Sequence, residues 1–176
     1  MNAGDMDLLI EEAGDSVYRY CRSITYTPED AEDLYQQTFL KALELQKRIS
    51  KEKNPKAYLI SVAANLWRNH KSRYARRQRI APSVPIEEGM QIADAGTDGD
   101  LSDGVVKREA VCELKKCVDK MPEKYKQVIL LFYAGELSLE EIAQVLKIPK
   151  GTVKSRLNKA RTVLREEMEA QGYGTE

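Results

Sequence analysis

The 176-residue sequence predicts an all-α protein of two small helical domains, an N-terminal bundle and a C-terminal helix-turn-helix domain, joined by a flexible acidic linker. Three observations predict it. Apolar residues recur at helical spacing on both sides of one interruption. The interruption, residues 81–104, is rich in Pro, Gly and Asp and has no aromatic residue, which suits a solvated tether. Ser, Thr and Pro stand where helix starts need them. The division is residues 1–80, linker 81–104, and residues 105–171.

The first helix is expected through LLIEEAGDSVYRYCRSI, with Val17, Cys21 and Ile24 at helical spacing. The second opens at TPEDAEDLYQQTFLKAL, where Thr27 suits an N-cap and Pro28 the first helical position. Glu29 and Asp30 there favour the positive end of the helix dipole. The third runs from about Asn54-Pro55 to Arg79, with Leu59, Val62, Ala63 and Leu66 in one stripe and Ile60, Ala64 and Trp67 beside it. Trp67 therefore reads as core, and His70 as a packed or bundle-edge residue.

Beyond the linker, VVKREAVCELKKCVDKM places Val111, Leu114, Val118 and Met121 on one face. Pro122 starts a helix through EKYKQVILLFY, and Gly135 suits its C-terminal stop. Ser138 with Glu141 three residues later forms a capping box, ahead of the inward-facing Ile142, Ala143 and Leu146. A short turn at Ile148-Pro149-Lys150 leads into a second helix, which completes a helix-turn-helix.

Composition excludes several function classes. Three cysteines (Cys21, Cys112, Cys117) and one histidine, His70, do not supply a structural zinc site of the usual four-ligand kind, and the cysteines read as reduced packing residues. No Gly-rich phosphate loop or paired catalytic carboxylates occur, so no catalytic group, metal, cofactor or small-molecule substrate is expected. The acidic N-terminus differs from a signal peptide, and no apolar run approaches the ~18 residues of a membrane span. The expected location is the cytoplasm.

Charge distribution points to a polyanion. The formal net charge is zero, yet residues 41–79 carry twelve Lys or Arg against Glu44 and Glu52, and residues 147–165 carry seven bases and no acid. Two separated basic blocks suit a protein that grips nucleic acid at two places. On the last helix Val153, Leu157, Ala160 and Leu164 fall within an arc of about 60°. The other side presents Lys154, Ser155, Asn158, Arg161, Thr162 and Arg165. Cations there reach phosphates or guanine edges, and the amide and hydroxyls read bases. On the third helix Tyr58, Ser61, Asn65, Arg68, Asn69, Ser72, Arg76 and Arg79 share an arc of about 100°. From projection alone that face is equally a holder of unstacked bases or a solvated helix side.

A family resemblance runs through these segments. DAEDLYQQTFLKAL resembles the segment of bacterial RNA polymerase sigma factors that docks on the polymerase clamp. NPKAYLISVAANLWRNHKSRYARR resembles the adjoining segment that melts and recognises the promoter element just upstream of the start. MPEKYKQVILLFYAGELSLEEIAQVLKIPKGTVKSRLNKAR resembles the domain that reads the element further upstream. Two domains and a short linker are similar to the extracytoplasmic-function subfamily. The resemblance implies a promoter-directing factor that contacts the clamp and flap surfaces of core RNA polymerase. It also implies an anti-sigma factor at the membrane that holds the protein inactive.

Residue by residue, it assigns Asp33, Gln36, Gln37 and Phe39 to polymerase docking. Lys56, Tyr58, Asn65, Arg68, Asn69 and Arg76 go to the melted element, with the loop from Ser50 to Pro55 capturing a flipped base. Lys154, Ser155, Asn158, Lys159 and Arg161 go to the upstream duplex, Lys159 by a phosphate contact. The family commonly has Glu, Trp and Asp where Gln37, Tyr58 and Asn69 stand here. The alternative is a free-standing helix-turn-helix regulator with an N-terminal interaction module.

Overall fold

A computed structural model of the chain describes residues 3–45, 54–80 and 101–174. Among them are seven α-helices and no strand: α1 (Ala3–Ile24), α2 (Pro28–Glu44), α3 (Pro55–Ile80), α4 (Leu101–Lys120), α5 (Glu123–Tyr133), α6 (Leu139–Leu146) and α7 (Lys150–Ala170). They divide between two compact units, with α1 to α3 in the first and α4 to α7 in the second.

In the first unit each helix packs on the other two. From α1, Leu9, Ala13, Val17 and Cys21 recur every fourth residue and are buried. They meet Ala31, Leu34, Phe39 and Ala42 of α2 and Leu59, Ile60, Val62, Ala63 and Trp67 of α3. Each large aliphatic side chain so removed from water contributes roughly 1.5–3 kcal/mol. Two buried hydroxyls are satisfied by the carbonyl four residues back: Thr25 donates to the Cys21 carbonyl at 2.8 Å and Thr38 to the Leu34 carbonyl at 2.7 Å. Burial in this core pushes the Cys21 thiol up to about 12, which keeps it protonated and unreactive.

Local chemistry sets the helix starts. Thr27 caps α2 by accepting from the Asp30 N–H at 3.1 Å, with Pro28 in the first turn. Asn54 does the same for α3, its Oδ1 accepting from Lys56 N at 3.0 Å and Ala57 N at 3.3 Å. Each such cap is worth about 1 kcal/mol. Trp67 lies in the core at 9% exposure, and His70 stacks on it at the bundle edge, centroids 5.1 Å apart and planes 12° from parallel.

In the second unit α5 packs on α6 and α7, and α4 on α7. Its core holds Cys117, Met121, Val128, Ile129, Leu131, Ile142, Val153, Leu157 and Ala160. The ends of α4 and α5 are joined by a salt bridge from Lys126 Nζ to Asp119 Oδ1 at 2.7 Å, with the lysine side chain 12% exposed.

Three expectations change here. Residues 81–100 of the expected linker lie outside the described residues, but 101–104 form the first turn of α4. Gly104 reads as a boundary in the sequence, yet one glycine costs a helix only about 1 kcal/mol relative to alanine. The face of α4 is also rotated. Cys117 and Met121 are buried, whereas Val111 is 54% and Leu114 38% exposed. Several apolar stripes are open to this helix, and the position of α7 selects the one bearing Cys117. Finally, the left-handed residue after α5 is Glu136 (φ 53°) rather than Gly135.

Candidate nucleic-acid interface

The helix-turn-helix is built from the capping box upward. Ser138 Oγ accepts from the Glu141 N–H at 3.2 Å, and Glu141 Oε2 accepts from the Ser138 N–H at 2.7 Å. This reciprocal pair satisfies two of the donors that a helix start leaves orphaned. After Leu146 the chain turns through Lys147 in the left-handed conformation (φ 55°, ψ 46°), and the Ile148 N–H returns to the Ala143 carbonyl at 3.1 Å. Pro149 then precedes α7 in extended conformation, and a Lys150 to Glu140 ion pair ties the two helices across the turn. That pair holds the Glu140 carboxyl below the usual carboxylate range, mainly through the hydrogen bond from Lys150.

On α7 the buried positions are Val153, Leu157 and Ala160, and Leu164 is half-buried. Packing of that stripe turns Lys154, Ser155, Asn158, Lys159, Thr162 and Arg165 to solvent. Lys154, Asn158 and Lys159 make no side-chain hydrogen bond or ion pair among the described residues, so their polar groups face outward unspent. Two hydroxyls donate back into the helix, Ser155 to Thr152 O at 3.4 Å and Thr162 to Asn158 O at 3.0 Å. Their outward lone pairs are then acceptors, matched to the amino groups of adenine or cytosine.

Arg161 stands apart from its neighbours. It is half-buried, its Nε donates to Tyr133 Oη at 2.9 Å, and its guanidinium carbon lies 5.1 Å and 5.6 Å from the Phe132 and Tyr133 ring centroids. Its orientation is thus set by the end of α5, which leaves the terminal guanidinium nitrogens as its remaining donors. The sequence signal for this clamp was only an aromatic pair closing a helix, and nothing in the spacing links residues 28 apart.

In the first unit α3 exposes Asn65, Arg68, Asn69, Ser72, Arg76 and Arg79, with Lys56 and Tyr58 half-buried at its start. Ser61 Oγ donates to Tyr58 O at 2.7 Å. Arg68 donates to Asn65 Oδ1, which occupies the acceptor side of that amide and leaves its NH₂ group to donate outward. Cations, donors and one aromatic therefore share one face of α3, which can hold bases whose stacking has been broken. Of the expected capture loop, residues 50–53 lie outside the described residues.

On α2 the expected docking residues part company. Asp33, Gln36 and Gln37 are exposed, with Gln37 Nε2 donating to Asp33 Oδ2 at 2.6 Å. Phe39 is not on that surface. It is 8% exposed and packs against Tyr35 with centroids 4.9 Å apart, because it follows Thr38 on the side of α2 that faces the bundle. Its place on the surface is taken by Leu40 (61% exposed) and Leu43 (39%). Sequence reasoning missed both, although Leu40 falls off the Ala31, Leu34, Thr38, Ala42 stripe at 100° per residue and was open to detection.

Comparison with known proteins accounts for both units. The family Sigma-70 region 2 matches residues 9–78, and Sigma-70, region 4 matches residues 113–164. The ECF RNA polymerase sigma factor SigW of Bacillus subtilis (strain 168) is 31% identical over 173 residues, covering 94% of this chain and 91% of that protein. The RNA polymerase sigma factor HrpL of Pseudomonas syringae pv. syringae is 28% identical over 145 residues, covering 80% and 74%. Among solved structures, the sigma factor RpoE in complex with the anti-sigma factor NepR, from Bartonella quintana, is similar with a TM-score of 0.76. It is 24% identical, covering 94% of this chain and 97% of that one, a likeness of fold.

Proposed function

The chain belongs to the extracytoplasmic-function (ECF) family of RNA polymerase sigma factors, and from that premise we propose how its surfaces divide the work of transcription initiation. As a sigma factor it binds core RNA polymerase and directs promoter recognition and initiation. It makes no bond itself. The polymerase supplies the chemistry, and this chain supplies address and strand opening through binding energy.

In this reading α7 lies in the major groove of the upstream element. Lys154, Ser155 and Asn158 face base edges, and Lys159 and Arg161 hold phosphate. Asn65, Arg68 and Asn69 of α3, with Lys56, Tyr58 and Arg76, hold the separated strand of the downstream element. Asp33, Gln36 and Gln37 on α2, extended by Leu40 and Leu43, dock on the polymerase clamp, and the second unit reaches the flap. The protein works in the cytoplasm, and a membrane-associated anti-sigma factor sequesters it until a signal arrives. The relative RpoE is known in complex with an anti-sigma factor, which supports inhibition of that kind.

One observation carries the reading. Two separately packed units each expose a cation-rich helix face, with no acid among residues 53–80 or 142–165, and each face mixes cations with amides and hydroxyls. The test adds the purified chain to sigma-free core polymerase with fragmented DNA from the source organism and maps transcript starts. Starts clustered downstream of one shared two-part element are expected. No starts, with tight duplex binding by the chain alone, would replace this reading with the free-standing regulator.

A further inference from the structure

The first unit has a concave feature that neither DNA face uses. A groove of about 350 Å³ runs between α1 and α2, lined by Gly14, Asp15, Tyr18, Glu32, Tyr35 and Gln36. Gly14 lets the Tyr35 hydroxyl approach α1, since a Cβ at that position would stand 3.0 Å from Tyr35 Oη. Its aromatic walls are braced. The Tyr18 and Tyr35 rings meet edge to face at 5.6 Å and 85°, and Tyr35 leans on the buried Phe39.

Charge decides what such a groove accepts. Asp15 and Glu32 are exposed on opposite banks, and neither carboxylate forms an ion pair among the described residues. The Tyr35 phenol is pushed up by burial and by the Asp15 charge, so at neutral pH it remains a hydroxyl. Two carboxylates and two ring faces repel an anion and would be stripped of water uselessly by an apolar side chain. They suit a cation on an aliphatic stem, which packs along the rings while its charged end meets the carboxylates. Nucleic acid is excluded by the same charges.

We propose that this groove receives one arginine or lysine side chain presented by core RNA polymerase. Gln36 connects the two surfaces, because it lines the groove and also belongs to the exposed face of α2 with Asp33 and Gln37. The inference rests on the reading of α2 as the polymerase-docking helix. It adds α1 to that interface, through Asp15 and Tyr18.

The experiment measures the affinity of the full-length chain for sigma-free core polymerase over a range of KCl concentrations, with thermal melts alongside. Asp15→Asn/Glu32→Gln keeps the shape of the groove and removes its charge. It is expected to weaken core binding about tenfold at low salt, to flatten the salt dependence and to leave the melt unchanged. Tyr18→Ala should weaken binding while Tyr18→Phe retains it, since a phenyl face still meets a cation. Asp33→Ala/Gln37→Ala tests the docking reading separately. If that pair weakens binding while the groove variants bind as wild type at every salt concentration, the groove inference is wrong and the docking surface stands. If none of these variants changes binding, the docking reading falls and the groove inference with it. A loss from Asp15→Asn/Glu32→Gln that is equal at all salt concentrations would also overturn the inference, because the occupant would not be a cation.

Discussion

Along α7 a buried residue returns every third or fourth position from Val153 to Ala160, whereas α3 has buried residues between Leu59 and Trp67 and none from Arg68 to Ile80. Both helices are rich in cations and poor in acids, so their composition looks alike. Their support differs. The outward face of α7 is positioned by a packed stripe on its other side and by the capping box, the Lys147 turn and the aromatic clamp on Arg161. The second half of α3 projects Arg73, Tyr74, Arg76, Arg77 and Arg79 with no buried partner beneath them. Base reading needs donors held to a fraction of an ångström, and charge attraction to a phosphate backbone does not. Under the proposed function, discrimination belongs to α7 and to the anchored half of α3, and a sequence-independent grip to the rest of α3.

The largest effect is expected from removing the support. Leu157→Ala deletes a side chain that is 3% exposed in the second unit and is expected to destabilise that unit by about 2–5 kcal/mol. Arg76→Ala, on the unsupported part of α3, should stay within about 0.5 kcal/mol of wild type. Chemical denaturation of each variant decides. Equal losses would show that the far half of α3 is also held by packing.

A second pair sharpens the split between reading and gripping. Asn158→Ala should change base preference at one position of the upstream element by about 1–3 kcal/mol, read from transcription across a library of promoter variants. Arg76→Ala should weaken all promoters about equally and lower the salt slope of complex formation by about 1. A uniform loss from Asn158→Ala would demote that residue to a positioning contact.

Two smaller effects concern the turn that aims α7. Lys147 occupies the left-handed region (φ 55°), which glycine adopts without the clash of a Cβ. Lys147→Gly is therefore expected to raise the unfolding free energy by about 0.5 kcal/mol, the relief of strain exceeding the added freedom of the unfolded chain. An unchanged or lowered denaturation midpoint would mean that the lysine side chain contributes contacts of its own. At the latch, Glu140 has a lowered pKa because of Lys150. A carboxyl lowered on folding adds stability above its unfolded pKa, and that contribution is lost as pH falls through the folded one. Side-chain NMR titration should find Glu140 below the ordinary glutamate range, and Lys150→Met should return it upward.

Much of the architecture was legible along the chain. The starts of α2, α3 and α6, the buried stripe of α7 and the core position of Trp67 follow from hydrogen bonds and side-chain periodicities confined to neighbouring residues, and these depend on nothing distant. The exposed cations and amides of α3 and α7 were legible for the same reason, as the reverse of those stripes. What tertiary structure alone decided is which of several possible faces a helix buries and which remote group meets which. Phe39 turns inward while Leu40 turns out, α4 buries Cys117 instead of Val111, Tyr133 holds Arg161, and the Tyr35 hydroxyl comes to rest against Gly14. Each depends on where a neighbouring helix lies, and a helical period fixes only the angle between residues on one helix, never the direction in which its partner waits.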